Sequence, residues 1–313
     1  MAHYTVLDVH AIEEILRSYG LKSTGDYKVL SGGSENTNYR VQTDIGTVVL
    51  TVCEQKTVEA ANELASVLVH LDQHGFATSK LIKTAEGDLT IAYNGKPVML
   101  KVFIQGTVIK DLPEALLINL GRDLGRLHQI PPPDYVPTEI SYGIEHFHKV
   151  SVYAADSPFH HWIQEMEAYI TEHITDSLPK ALIHSDIFYN NIIVSHDQKQ
   201  AQIMDFEEAC NYYRIFDIGM MIIGVCSEGD EVRLDQAVHL LKGYQQEIDL
   251  LPAEKAALQA FTVYAAAATG YWRHQNFNYV KPDPAMAEHH FAMKNLADSV
   301  RSIPEAEFMG ILK

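Results

Sequence analysis

The segment that most restricts how this chain can fold runs from Leu182 to Glu207. Two short apolar runs, Ile192-Ile193-Val194 and Ile203-Met204, flank the polar turn Ser195 to Gln200. Apolar runs of strand length on either side of such a turn predict a β-hairpin. The chemistry-bearing side chains stand at its ends, not in its turn: Asp186, Asn191 five residues later, and Asp205 fourteen residues beyond that. One alternative is an ordinary hairpin whose Asp and Asn residues shape turns, but these residues lie outside the turn proper. The other is phosphoryl transfer. That reaction asks for a carboxylate to orient an acceptor hydroxyl and take its proton, plus hard oxygen ligands for magnesium.

The totals narrow the classes. A chain of 313 residues has room for two domains or one large one. Its formal net charge of −17 repels nucleic acid and anionic membranes, so neither is expected as a partner. A nucleotide site remains compatible with that charge if magnesium and backbone amides offset the repulsion. Cys53, Cys210 and Cys226 have no paired spacing, which argues for a reducing compartment and against disulfides or a zinc site. Met1 to Asp8 lacks the pattern of a signal peptide, and no apolar run reaches the ~20 residues of a membrane span. A cytoplasmic location is the expectation.

Periodicity predicts a helix over Val9 to Tyr19, closed by Gly20, then strands at Tyr27 to Leu30, Asn38 to Thr43 and Thr47 to Cys53. A long helix follows from Thr57 to His74. Further strands fall at Leu81 to Lys83, Leu89 to Tyr93 and Val98 to Phe103, with Asn94-Gly95 as a two-residue turn. Beyond Gln105-Gly106 helices dominate: Leu112 to Gln129, Phe159 to Thr175, Phe216 to Cys226, Glu231 to Glu247, Ala253 to His274 and Pro284 to Ser302. The fold class is therefore α+β: a small antiparallel lobe over residues 1–104 and a larger helical lobe over 105–313, with a ligand cleft expected between them.

These residues carry a family likeness. A protein kinase orders its groups as H-R-D-x-x-x-x-N and then D-F-G; here the order is H-S-D-x-x-x-x-N and then Asp205-Phe206-Glu207. Together with the Gly-rich hairpin, the long first-lobe helix and the run Gly121-Arg122-Asp123-Leu124-Gly125-Arg126-Leu127-His128, the chain resembles the aminoglycoside phosphotransferase and choline kinase family. Gly33-Ser34-Glu35-Asn36-Thr37-Asn38-Tyr39, Val49-Leu50-Thr51-Val52-Cys53-Glu54 and Lys281-Pro282-Asp283-Pro284 are most similar to the bacterial type II homoserine kinases.

The resemblance implies a protein-kinase-like fold and a set of roles. Asp186 is the expected base facing the acceptor, with His184 supporting its loop. Asn191 and Asp205 are the expected Mg²⁺ ligands, against a turn cap for Asn191 and a buried ion-pair partner for Asp205. Gly32, Gly33, Ser34 and Asn36 would border the phosphates of ATP, and Phe103 its adenine. Glu207 replaces the mobile glycine of D-F-G and is a candidate near metal or acceptor. Asp217 reads either as the aspartate that ties the catalytic loop or as a plain residue in the first helical turn. Arg273 is a candidate partner for an acceptor carboxylate, against a solvated helix end. Thr51 is the departure: a lysine is expected there, paired to a helix glutamate at the place of Glu63. Lys28 or Lys56 are possible substitutes, while Lys101 reads as an edge-strand residue.

The expected activity is ATP- and magnesium-dependent phosphorylation of a small hydroxyl-bearing metabolite, homoserine foremost. The alternatives are a kinase of another small alcohol, such as an amino alcohol, a hydroxylated amino acid, a thiosugar or an aminoglycoside, and a non-catalytic nucleotide-binding protein suggested only by Thr51. Oligomeric state is not encoded in any feature of the chain.

Overall fold

The computed structural model describes residues 5–30 and 36–312; the expected phosphate-loop residues Gly32, Gly33 and Ser34 lie outside them. The chain divides into two compact units, residues 1–105 and 106–313.

The first unit is an antiparallel sheet with a helix on each face. Helix α1 (Val9–Ser18) starts where the Asp8 side chain accepts from the amide of Ala11, at 2.8 Å. Strands β1 (Ser23–Val29), β2 (Asn36–Thr43) and β3 (Gly46–Cys53) precede helix α2 (Val58–Gln73), which Thr57 caps in the same way. Strands β4 (Leu81–Ile82), β5 (Ile91–Tyr93) and β6 (Lys96–Val102) complete the sheet. The strand order is β1-β2-β3-β6-β4, with β5 also paired to β6. The turn between β5 and β6 is the expected one, with Asn94 at φ 49° and Gly95 at φ 77°.

Strand alternation sorts the sheet's side chains onto two faces. Tyr39, Val41, Leu50, Val52, Val98 and Leu100 form one buried cluster with Ile12, Ile15 and Leu16 of α1. Cys53 and Met99, on the other face, pack against Ala61, Leu64 and Ala65 of α2. Strand β1 begins four residues earlier than its hydrophobic pattern implied, because it is an outer strand whose residues are mostly exposed and so carry no alternation.

The second unit is mainly helical. Helix α3 (Glu114–Leu127), a 3₁₀ segment Ile144–Lys149, α4 (Val150–Tyr153) and α5 (Pro158–Thr171) come first. Strands β7 (Lys180–Ile183), β8 (Ile192–Val194), β9 (Ala201–Ile203) and β10 (Cys210–Tyr213) follow. Next are α6 (Arg214–Val225), the strand pair β11 (Ser227–Glu228) and β12 (Glu231–Val232), α7 (Leu234–Tyr244) and α8 (Pro252–Gln275). A π-helical turn Asn276–Val280, α9 (His290–Ser302) and α10 (Glu305–Phe308) end the unit.

Glycine explains the tight seam between α3 and α7. A Cβ on Gly121 would stand 2.0 Å from the Leu240 carbonyl oxygen, and one on Gly243 would stand 1.9 Å from that of Ile118. Neither position has room for a side chain. The alanine-rich stretch of α8 is buried throughout and packs on α6 and α9. No helix of the described residues is long and apolar enough to cross a membrane.

Several boundaries differ from expectation. Glu231 and Val232 begin no helix; they pair with Glu228 and Ser227 across Gly229, which has φ 62°. Helix α9 starts at His290, with turns over residues 284–289. Strand β7 was not anticipated; it pairs in register with β10, a partner about thirty residues away that no local pattern announces.

Candidate active site

The catalytic-loop candidates begin where β7 ends. His184 and Ser185 are fully buried, and their amides donate to the two carboxylate oxygens of Asp217, each at 2.7 Å. Asp217, buried in the first turn of α6, also faces His128 Nε2 at 3.3 Å. The last residue of the Gly121–His128 run is thereby tied to the same carboxylate. Asp217 thus serves the loop backbone as well as its helix.

Ser185 has φ 67°, a left-handed conformation disfavoured by about 1–2 kcal/mol for a non-glycine residue. Its surroundings impose it. The Ser185 hydroxyl donates to the Glu208 carbonyl at 2.8 Å, and the buried Tyr142 hydroxyl donates to the Ser185 carbonyl. His184 Nδ1 accepts from the Asp186 amide at 3.2 Å while Nε2 faces the Met204 carbonyl at 2.9 Å. These two partners hold the ring in place, with Nε2 donating to the carbonyl and Nδ1 accepting from the amide.

Asn191 spends both amide hydrogens on Asp186: one on the backbone carbonyl at 2.8 Å, one on Oδ2 at 3.0 Å. Its carbonyl Oδ1 is left as the ligand-capable atom. The Met204 amide donates to the Asn191 carbonyl at 2.9 Å, and the next residue, Asp205, also sits at a left-handed φ of 71°. This kink follows β9 directly and turns the exposed Asp205 carboxylate out of the strand pattern.

The resulting cluster is overloaded with negative charge. Burial, then the charges of Asp205 and Glu208, push the Asp186 carboxyl up to about 7, while Asn191 and the Arg273 charge pull the other way. Hard oxygens with unbalanced repulsion fit a divalent cation. Among the described residues no group of three His, Cys, Asp or Glu side chains forms a closed metal cage. A magnesium ion held by Asn191 and Asp205 would therefore keep positions for phosphate and water, its usual preference. Glu207, beside Asp205, is half-buried and makes interactions of its own.

Beside this loop lies a cavity of about 160 Å³, wholly within the second unit. Phe188, Tyr189, Ile223, Val225 and Met293 supply its apolar wall, Lys110 and Arg273 its charge. Arg273 is half-buried, lies 5.9 Å over the Phe188 ring and makes one long hydrogen bond, 3.4 Å, to the His289 carbonyl. Burial lowers its pKa and the nearby Asp186 charge opposes that. A cavity of this size, below the ~300 Å³ common for drug-sized ligands, suits a compact metabolite.

The nucleotide candidates belong to the first unit. Thr51 is buried and donates to Asn38 Oδ1 at 2.7 Å across the β2–β3 ladder. Asn36 is buried at the start of β2. Phe103 is half-buried with Arg40 over its ring at 5.1 Å. Glu63 is exposed on α2. Lys101 is not on an edge strand, since β6 lies between β3 and β4. In the second unit His290 is buried against Phe159 and His274.

Three residues escaped the sequence reading. Glu208 acts on Asp186 from the far side of the D-F-E run; its adjacency to Glu207 was the available signal. Lys110 reaches the cavity from a segment with no motif. Arg40 was hidden among alternating strand residues.

The chain resembles known proteins in sequence and in fold. The chain is 26% identical over 268 residues to the homoserine kinase of Rhodopseudomonas palustris (strain BisB5), covering 82% of this chain and 81% of that one. Among solved structures it resembles a microcompartment-associated aminopropanol kinase, with a TM-score of 0.74, 15% identity, and 97% and 100% of the two chains covered. It also resembles amicoumacin kinase in complex with AMP-PNP, Ca²⁺ and Ami, with a TM-score of 0.70, 18% identity, and 96% and 95% covered. These likenesses show the kinase-like α+β fold, an antiparallel sheet followed by a larger helical part. Residues 26–251 match the Phosphotransferase enzyme family, and the chain belongs to that family.

Proposed function

We propose that this phosphotransferase moves the terminal phosphoryl group of ATP onto the hydroxyl of a small carboxylate-bearing alcohol, with homoserine as acceptor and O-phosphohomoserine as product. Asp186 holds the acceptor hydroxyl in line and takes its proton as the new oxygen–phosphorus bond forms and the bond to the departing ADP breaks. Burial raises that carboxyl above the ordinary carboxylate range, toward the neutral pH at which a proton can be exchanged. Asn191 and Asp205 would hold a magnesium ion, which would supply charge neutralisation for the phosphates. The nucleotide contacts fall to the first unit, through Asn36, Thr51 and Phe103 and through the loop of Gly32, Gly33 and Ser34.

The observation that carries the acceptor class is the charge of the cavity. Lys110 and Arg273 line it, and among the described residues that line it none is acidic. Such a pocket favours an acceptor with a carboxylate, which arginine can grip with two parallel hydrogen bonds. It disfavours choline, amino alcohols and aminoglycosides, whose charge is positive. The relatives named homoserine kinase support the same choice.

The test is ADP release on L-homoserine and on 3-aminopropan-1-ol, which is homoserine without its carboxylate. Homoserine is expected to win by at least tenfold in kcat/KM. Equal use of both, or a preference for the amino alcohol, would remove the carboxylate from the reading. Nucleotide binding without ADP release on any alcohol would point to the non-catalytic alternative.

A further inference from the structure

Resting on the nucleotide-dependent reading above, we propose that a row of cations on the first unit's sheet, centred on Arg40, takes the phosphate-binding task that Thr51 cannot perform. The registers fix the row. Lys28 of β1 pairs with Arg40 of β2, Arg40 with Val49 of β3, and Val49 with Lys101 of β6. Residues directly opposite in an antiparallel sheet share a face, so Lys28, Arg40 and Lys101 stand on one side in line. Thr51 shares that face two residues further along β3, opposite Asn38. It is the face away from α1, and α2 covers only its Met99 and Cys53 end.

Three features make this row unlike a solvated strand surface. Like charges placed directly opposite each other, as Lys28 and Arg40 are, oppose sheet formation. They also occur in a chain with 41 acidic and 24 basic residues, where charge-neutral pairing would be easy to arrange. Finally, Arg40 Nε is buried and has no hydrogen-bond partner among the described residues, while its guanidinium rests 5.1 Å over Phe103. An aromatic seat holds a guanidinium in plane and leaves its donors for another partner.

The partner that matches is a polyphosphate anion. A nucleoside triphosphate brings several negative charges that kinases elsewhere meet with a strand lysine. Here the buried Thr51 hydroxyl is already spent on Asn38, and the cations are displaced by one strand and one row. Arg40 is the central member: guanidinium geometry suits phosphate oxygens, and Lys28 and Lys101 flank it.

The experiment is calorimetric titration of the full chain with adenosine, AMP, ADP and ATP, in wild type, Arg40→Met and Arg40→Lys. If Arg40 grips the phosphates, Arg40→Met weakens ADP and ATP by about tenfold or more and leaves adenosine unchanged. Arg40→Lys recovers part of the loss. Raising the salt narrows the gap between wild type and Arg40→Met. Should Arg40→Met fail to melt cooperatively, Arg40→Gln carries the same expectation. Unaltered ATP affinity in a folded neutral variant overturns the proposal, and so does an equal loss for adenosine and ATP. A wild-type chain that binds no nucleotide at all instead defeats the functional reading on which the row depends.

Discussion

Two carboxylates in this molecule occupy opposite electrostatic settings. Glu54, at the end of β3's run, accepts from the Thr5 amide at 2.7 Å, from the hydroxyls of Thr5 and Thr37, and from Lys96. Burial alone would raise its pKa, but these donors outweigh it and hold the carboxyl at about 2. The half-buried Asp186 carboxylate accepts, among the described residues, only from Asn191, and burial with the charges of Asp205 and Glu208 pushes it up to about 7. Donors surround the first group; like charges surround the second. A group that must exchange a proton has to be left short of partners, whereas one that ties a sheet together is given every partner it can use.

That contrast can be broken at either end. The largest effect is expected from Asp186→Asn. Turnover should fall by roughly 10²–10⁴-fold, the usual loss for a missing proton acceptor, while melting in the presence of a chelator stays level or rises. Removing a carboxyl whose pKa is raised on folding relieves a penalty that grows as pH climbs from its unfolded value toward about 7. A variant that melts well below wild type at neutral pH would show that Asp186 is a stabilising residue like Glu54.

Next in size is Arg273→Met, read in steady-state kinetics with homoserine. The acceptor KM should rise about tenfold or more, with the KM for ATP unchanged. Among the described residues Arg273 makes one long hydrogen bond, beside its contact with the Phe188 ring, so the melting temperature should move little. An unchanged homoserine KM would place the acceptor carboxylate elsewhere.

The smallest effect is expected from Glu54→Gln, measured as a stability difference along an acid series. The folded pKa of Glu54 is depressed, so its contribution is fully present above the unfolded value near 4.5 and is lost as pH falls through about 2. The gap between wild type and variant should therefore be widest at pH 6 and close between pH 4.5 and 2. A gap that does not change with pH would mean that the charge of Glu54 contributes nothing.

What the sequence disclosed follows from the same physics. Asp186, Asn191 and Asp205 were legible because each sits at the edge of a short apolar run, where a polar residue is conspicuous. The Asn94-Gly95 turn and Gly20 at the close of α1 were legible because turn and capping chemistry are local. Arg40 was not. Its meaning depends on Lys28, Val49 and Lys101 lying beside it, and strand register is not written in any one strand. Lys110 and Arg273 share a cavity across more than 160 residues of chain. Glu231 misled because its helix-like surroundings conceal a two-residue strand pair.

Gly224 gives the second unit a property that neither the loop nor the cavity has alone. It lines the cavity, and a Cβ there would stand 1.9 Å from the Ile187 carbonyl oxygen, one residue after Asp186. At that point helix backbone meets loop backbone with no room for a side chain between them. Any side chain at residue 224 would therefore press on the segment that follows Asp186, and the closeness of this contact ties the shape of the cavity wall to the placing of the proposed proton acceptor.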